Sequence, residues 1–212
     1  MAQKESTFLN MVLTLLLVTL IAAAILGFVH DMTKDAIILA KNKAQEEAIV
    51  KVLPAFDKLG KAYKLMPEEG GDSLEFFPAY NASDELIGIA VKTYTKRGFG
   101  GYIGLMAGFT ADGTISGYSV LEHKETPGLG SKMDTWFNNA DKPKQNIIGK
   151  NPKTTRFSVA KDGGDIDAIT ASTISSRAFL DGINRAYKTF IQNMNTATET
   201  TSETSENKGG ES

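Results

Sequence analysis

The first long pattern along the chain is an apolar run with no alternation. Residues 8–29 read FLNMVLTLLLVTLIAAAILGFV, with no charge and one polar amide, Asn10. At helical rise such a run spans about 33 Å, enough for a hydrocarbon core of about 30 Å. It predicts a transmembrane anchor behind a short N-terminal segment, 1–7. A buried core helix is rarely so long and so uniformly apolar. A cleaved signal peptide is the nearer rival, because Ala22-Ala23-Ala24 could serve as a small-residue cleavage site. Only Lys4 supplies charge ahead of the run, and apolarity continues to Val29, which favours a retained anchor.

From Thr33 to Leu53 the apolar positions take a helical period. Ile37, Ala40, Ala44, Ala48 and Val52 fall on one face, lysines and glutamates occupy much of the rest, and Pro54 ends the pattern. This predicts a connecting helix over 30–54 that continues from the anchor. Strands follow at 74–80, 86–95, 102–109 and 114–122, rich in aromatic or β-branched residues. Turn residues separate them: Asn81-Ala82-Ser83-Asp84, then Gly98 with Gly100-Gly101, then Asp112-Gly113. The last pair is a hairpin signal, since Asp-Gly readily takes the positive φ angles of a tight turn. Gly, Pro and Asn recur through 124–161, around the single Trp136, and predict irregular structure. A final helix over 175–194 carries Phe179, Ile183, Ala186, Tyr187, Phe190, Ile191 and Met194 as one apolar stripe for packing on the sheet. From Thr196 the chain reads TATETTSETSENKGGES, without large apolar residues, and a disordered polar tail is expected over 196–212. The sum is an α+β chain: one transmembrane helix, then a domain over 55–195 with an antiparallel sheet and flanking helices.

Composition narrows the chemistry. There are no cysteines, so no disulfide, thiolate nucleophile or cysteine-ligated iron–sulfur cluster is available. With only His30 and His123, a multi-histidine metal site is not expected. The formal net charge of -2, with both signs mixed along the chain, lacks the basic footprint of a nucleic-acid binder. Any redox chemistry must therefore be carried by an organic cofactor.

Two segments concentrate candidate chemistry. His123-Lys124-Glu125-Thr126-Pro127-Gly128-Leu129-Gly130 follows a strand, and its Pro and Gly residues allow a tight turn whose backbone can approach a ligand. An ordinary surface turn is the plain reading. The second segment, Asp167-Ala168-Ile169-Thr170-Ala171-Ser172-Thr173-Ile174-Ser175-Ser176, opens the final helix. Capping accounts for part of its hydroxyl content, but a helix needs one cap. Hydroxyls and small residues at a helix N-terminus also make a seat for phosphate, because free N–H groups and the positive helix end favour an anion there.

The run GYIGLMAGFTADGTISGYSVLEHKETPGLG at 101–130, with DAITASTISSRAF at 167–179, resembles the FMN-binding domain of the RnfG and NqrC families. The first are the G subunits of ion-translocating ferredoxin:NAD oxidoreductases (Rnf), and the second are their counterparts in sodium-pumping NADH:quinone reductases; the likeness is nearer RnfG. It covers the anchor, the connecting helix and the domain, but not the tail. In these families a flavin transferase uses FAD to place FMN on a threonine through a phosphodiester. The resemblance puts that threonine at Thr173, six positions after Asp167. It implies FMN contacts from Glu125, Thr126, Pro127, Gly128, Leu129 and Gly130 on one side. On the other side it implies contacts from Asp167, Thr170, Ala171, Ser172 and Ser176. It names no catalytic acid or base and no metal. It implies other subunits of the Rnf complex, a flavin transferase and a membrane as partners. It also implies single-pass insertion in the inner membrane with the flavin domain on the periplasmic side. The charge count points the other way, with Lys4 before the span and Lys34, Lys41 and Lys43 after it.

One departure stands out. Where the family has Gly-Ala before the threonine, this chain has Ala171-Ser172, and alanine lacks glycine's easy access to positive φ. Two further readings stay open on sequence alone. One is a membrane-anchored binding or assembly protein using the Pro-Gly loop for contacts. The other is a free-standing flavin reductase, in which Glu122, His123 and Glu125 would be considered for proton transfer.

Overall fold

The apolar run forms helix, and the lysine- and glutamate-bearing stretch after it continues that helix without a break. Helix α1 spans Phe8–Val52, 45 residues. The computed structural model describes the backbone of residues 7–206 and the side chains of residues 7–194. Expectations for residues 1–6 and 207–212 lie outside the described residues. The chain divides into two units, Met1–Ala44 and Gln45–Ser212.

In the first unit every described side chain is exposed, and the helix is long and apolar enough to cross a membrane. Its hydroxyls are satisfied within the helix itself. Thr14 donates to the Asn10 carbonyl at 2.7 Å, Thr19 to the Leu15 carbonyl at 3.0 Å and Thr33 to the Val29 carbonyl at 2.8 Å. Such back-bonding leaves little polarity to present to an apolar medium.

The second unit is built on a six-stranded antiparallel sheet. Its strands are β1 (Lys58–Leu59), β2 (Tyr63–Leu65), β3 (Leu74–Tyr80), β4 (Leu86–Gly98), β5 (Gly101–Thr110) and β6 (Ile115–His123). The order is β1-β3-β4-β5-β6, with β2 also paired to β3. Successive side chains on a strand point to opposite faces, and here both faces are buried. Phe76, Ile89, Val91, Leu105 and Ala107 enter one core with Phe179, Ile183 and Phe190. Phe77, Ala79, Ala90 and Met106 enter a second with Ala48, Ile49, Val52 and Leu53 at the end of α1. Each large apolar side chain fully buried this way contributes about 1.5–3 kcal/mol. Two-sided burial explains why the strands read as nearly continuous apolar runs. Ser116 donates its hydroxyl to the Val52 carbonyl at 2.6 Å, satisfying one of the end carbonyls of α1.

Helix α2 (Met133–Trp136) and a 3-10 turn at Gly130–Lys132 lie within the stretch expected to be irregular, and a second 3-10 turn covers Ala160–Asp162. Helix α3 runs Thr173–Glu206. Its apolar stripe packs as the period predicts: Phe179 stacks on Phe137 with centroids 4.3 Å apart and meets Tyr118 edge-on at 4.9 Å. The Tyr118 hydroxyl donates to the Met133 carbonyl at 2.8 Å and accepts from the Phe137 N–H at 3.2 Å, which fastens α2 to β6.

Three features differ from the sequence expectation. Strands β1 and β2 are too short to leave a periodic signal. Helix α3 begins two residues earlier than the apolar stripe suggests, at Thr173. Its helical backbone also continues to Glu206, into the stretch where composition predicts disorder. Once a helix is nucleated, each added residue gains a hydrogen bond at little further entropy, so a polar extension follows more readily than composition implies.

Candidate functional site

Three loops meet at one end of the sheet. The first is the β4–β5 hairpin tip, where Gly98 pairs with Gly101 around Phe99 and Gly100. Phe99 is 70% exposed, which no packing role accounts for. The second follows β6. There the Thr126 carbonyl accepts from the Leu129 N–H at 3.2 Å and the Ser131 N–H at 3.3 Å, while Gly128, at φ 73°, donates its N–H to the Ser131 hydroxyl at 2.9 Å. The third is the start of α3.

That helix start is tightly organised. The Ser172 N–H donates to the Ile169 carbonyl at 2.9 Å, and the Ser172 carbonyl accepts from the Ser176 N–H at 3.1 Å, so Ser172 occupies the N-cap position. The Ser176 hydroxyl donates to the Ser172 carbonyl at 2.9 Å and accepts from the Ile169 N–H at 2.9 Å. The Ser172 hydroxyl bonds to that of Ser175 at 2.8 Å, and the Ser175 hydroxyl in turn donates to Glu125. Ala171 sits at φ 60°, in the left-handed region that costs a non-glycine residue about 1 kcal/mol. The glycine preference at this position is thus a real conformational demand, which alanine meets under strain.

A cavity of 390 Å³ lies among these loops, lined by Phe99, Thr126 and Leu129 on one side and by residues 171–175 on the other. Its volume falls within the range of about 300–1,000 Å³ usual for ligand pockets. Leu129 is 40% exposed and Ile174 50%, so with Phe99 the walls offer apolar surface to an occupant. The floor is the start of α3, whose first N–H groups have no intrahelical acceptor. Thr173 is half-buried, and its hydroxyl has no hydrogen-bond partner among the described residues. Ser172, Ser175 and Ser176 are buried and engaged with one another.

The structure sorts the residues named from sequence. Thr126, Leu129, Ala171, Ser172 and Thr173 line the cavity; Pro127, Gly128, Gly130, Asp167, Thr170 and Ser176 do not. Asp167 acts through its backbone: its N–H donates to the Lys144 carbonyl at 2.8 Å and its carbonyl accepts from the Trp136 indole at 3.1 Å. Glu125 is buried beneath the cavity, not in its wall, with Oε1 accepting the Gly100 N–H at 2.8 Å. Phe99, Ile174 and Ser175 were missed. A bulky aromatic between two turn glycines was the available signal for Phe99.

A larger hollow of 480 Å³ on the far side of Ile174 is less suited to an anion. Its cations are already matched, Arg97 to Asp181 at 2.8 Å and Arg177 to Asp162 at 2.7 Å. The hydrogen-bonded Arg177 guanidinium holds the Asp162 carboxyl below its ordinary pKa, and Asp162 in return raises that of Arg177.

Residues 98–188 match the FMN-binding domain family. The chain is 30% identical over 185 residues to the G subunit of the ion-translocating oxidoreductase complex of Methanosarcina acetivorans, covering 86% of this chain and 93% of that relative. It is 33% identical over 198 residues to the protein of the same description from Vibrio atlanticus, covering 84% and 89%. Among solved structures, NqrC of Shewanella oneidensis matches at 23% identity and a TM-score of 0.41, covering 59% of this chain and 61% of that one.

Proposed function

This chain belongs to the RnfG family, the G subunits of ion-translocating oxidoreductase complexes, and from that premise we propose that it is the FMN-carrying electron-transfer subunit of such a complex, with FMN bonded through a phosphodiester to Thr173. FMN supplies reversible electron uptake when bound. The protein supplies the seat. The first N–H groups of α3 and the positive helix end favour a phosphate on Thr173. Phe99, Leu129 and Ile174 offer apolar walls for the ring.

The observation that carries this reading is the state of the hydroxyls. Four of them cluster at the start of α3, at Ser172, Thr173, Ser175 and Ser176. The three serines are buried and bonded to one another or to the backbone, and Thr173 alone of the four is half-buried in the cavity wall. In the attachment Thr173 Oγ1 displaces AMP from FAD: an O–P bond forms to the FMN phosphorus and the phosphoanhydride bond breaks. AMP leaves, and the threonine proton passes to a flavin transferase. A threonine hydroxyl is a weak nucleophile unaided, so the base belongs to that enzyme.

The apolar first part of α1, residues 8–29, is the membrane anchor in this reading, and the second unit stands on the periplasmic side of the inner membrane, where a covalent bond keeps the flavin from being lost by diffusion. The other subunits of the complex are its electron donor and acceptor. Co-expression with a flavin transferase, followed by denaturing electrophoresis with in-gel fluorescence and intact mass, tests the site. The wild-type band is expected to fluoresce and to gain the mass of one FMN less water, and Thr173→Ala to lose both. A fluorescent Thr173→Ala band would sink the assignment.

A further inference from the structure

Glu125 is an unusual group for its place in the chain. It lies two residues past β6, and the next four residues are exposed, yet Glu125 is only 4% exposed. A buried carboxylate needs hydrogen bonds to offset its lost hydration. Each of its oxygens has one. Oε1 accepts the Gly100 N–H at 2.8 Å, and Oε2 accepts the Ser175 hydroxyl. The two donors belong to different elements, the β4–β5 tip and the start of α3.

Room for this carboxylate comes from side chains that are absent. A Cβ placed on Gly98 would lie 2.5 Å from Oε1, and one on Gly130 would lie 2.7 Å from Oε2. Both are closer than atoms approach, so these glycines accommodate the carboxylate as well as the turns they sit in. The tip that Glu125 holds carries Phe99, and the helix start that it holds carries Thr173; both line the same cavity.

We infer that Glu125 is a positioning residue for the flavin: it ties the tip bearing Phe99 to the helix start bearing Thr173, and so sets Phe99 as the wall against which the isoalloxazine ring lies. This rests on the reading of Thr173 as the attachment site. Glu125 is not among the residues that line the cavity, so it acts on the ring through the two elements it joins.

The test uses the full chain co-expressed with a flavin transferase, as wild type, Glu125→Ala, Glu125→Gln, Ser175→Ala and Phe99→Ala. Intact mass gives the loaded fraction, and flavin fluorescence-anisotropy decay with visible circular dichroism reports how firmly the ring is held. Loaded Glu125→Ala and Phe99→Ala are expected to show a new fast depolarisation and a weaker visible band, with Ser175→Ala between them and wild type. Glu125→Gln keeps an acceptor for the Gly100 N–H and is expected to recover most of the signal. Loaded Phe99→Ala or Glu125→Ala with wild-type anisotropy and dichroism would overturn the inference. Phe99 is exposed, so its variant decides the matter even where Glu125→Ala fails to fold. A wild-type protein without covalent flavin would instead overturn the Thr173 reading.

Discussion

The start of α3 and the tip of the β4–β5 hairpin line one cavity but hold their shapes by different means. The helix start is dense with short-range bonds: Ser172, Ser175 and Ser176 satisfy each other and the Ile169 N–H, and Ala171 is held at positive φ against its preference. The hairpin tip has an exposed aromatic, turn glycines and a single carboxylate reaching it from another loop. The helix start is held by bonds within its own sequence and meets Glu125 through Ser175, whereas the Gly100 N–H at the tip depends on that residue 25 positions away. The difference teaches that two walls of one cavity can be held largely by separate sets of bonds. Damage to the helix start should show in stability, and damage to the tip in how the ring is held.

Breaking the helix start has the largest expected effect. Ser176→Ala leaves the buried Ile169 N–H without its acceptor and should destabilise the protein by about 1–3 kcal/mol, measured as a lower urea midpoint at unchanged slope. A change within error would mean that the hydroxyl network is not what holds this turn. Next comes relief of strain. Ala171→Gly should stabilise by about 1 kcal/mol, because glycine takes φ near 60° without penalty. The same assay reads it, and a loss of stability would show that the unfolded-chain entropy of glycine outweighs the strain. The smallest effect lies at the edge of the site, where Arg177 bridges Asp162 at 2.7 and 2.8 Å. The folded pKa of Asp162 is lowered, so its contribution is present above the unfolded value of about 3.9 and fades as pH falls through the folded value. Both groups are exposed, so the difference between wild type and Asp162→Asn should be slight at neutral pH and fade as pH falls below the ordinary carboxylate range. A difference that grows in acid would have the wrong sign.

Much of this architecture was legible in the sequence. Strands buried on both faces leave long apolar runs, and β3 to β6 were found within a few residues of their ends for that reason. The stripe on α3 and the turn at Asp112-Gly113 carry equally local signals. The departure at Ala171 marked a place where backbone conformation matters, and the φ of 60° bears that out. The role of Glu125 could not be read in the same way. Its partners, Gly100 and Ser175, become neighbours only once β4, β5 and α3 have packed. Phe99 stands between turn glycines in the sequence, but that this tip faces the start of α3 across a cavity follows only from the packed fold.

The hydrogen bond from Trp136 to the Asp167 carbonyl has an optical consequence. The chain contains one tryptophan, and it bonds to Asp167, six residues before Thr173 in the cavity wall. Indole emission overlaps flavin absorption, so Trp136 emission would dim by energy transfer as the cavity fills. The protein therefore contains its own donor for following cofactor loading in real time, with no label and no second emitter of the same kind to correct for.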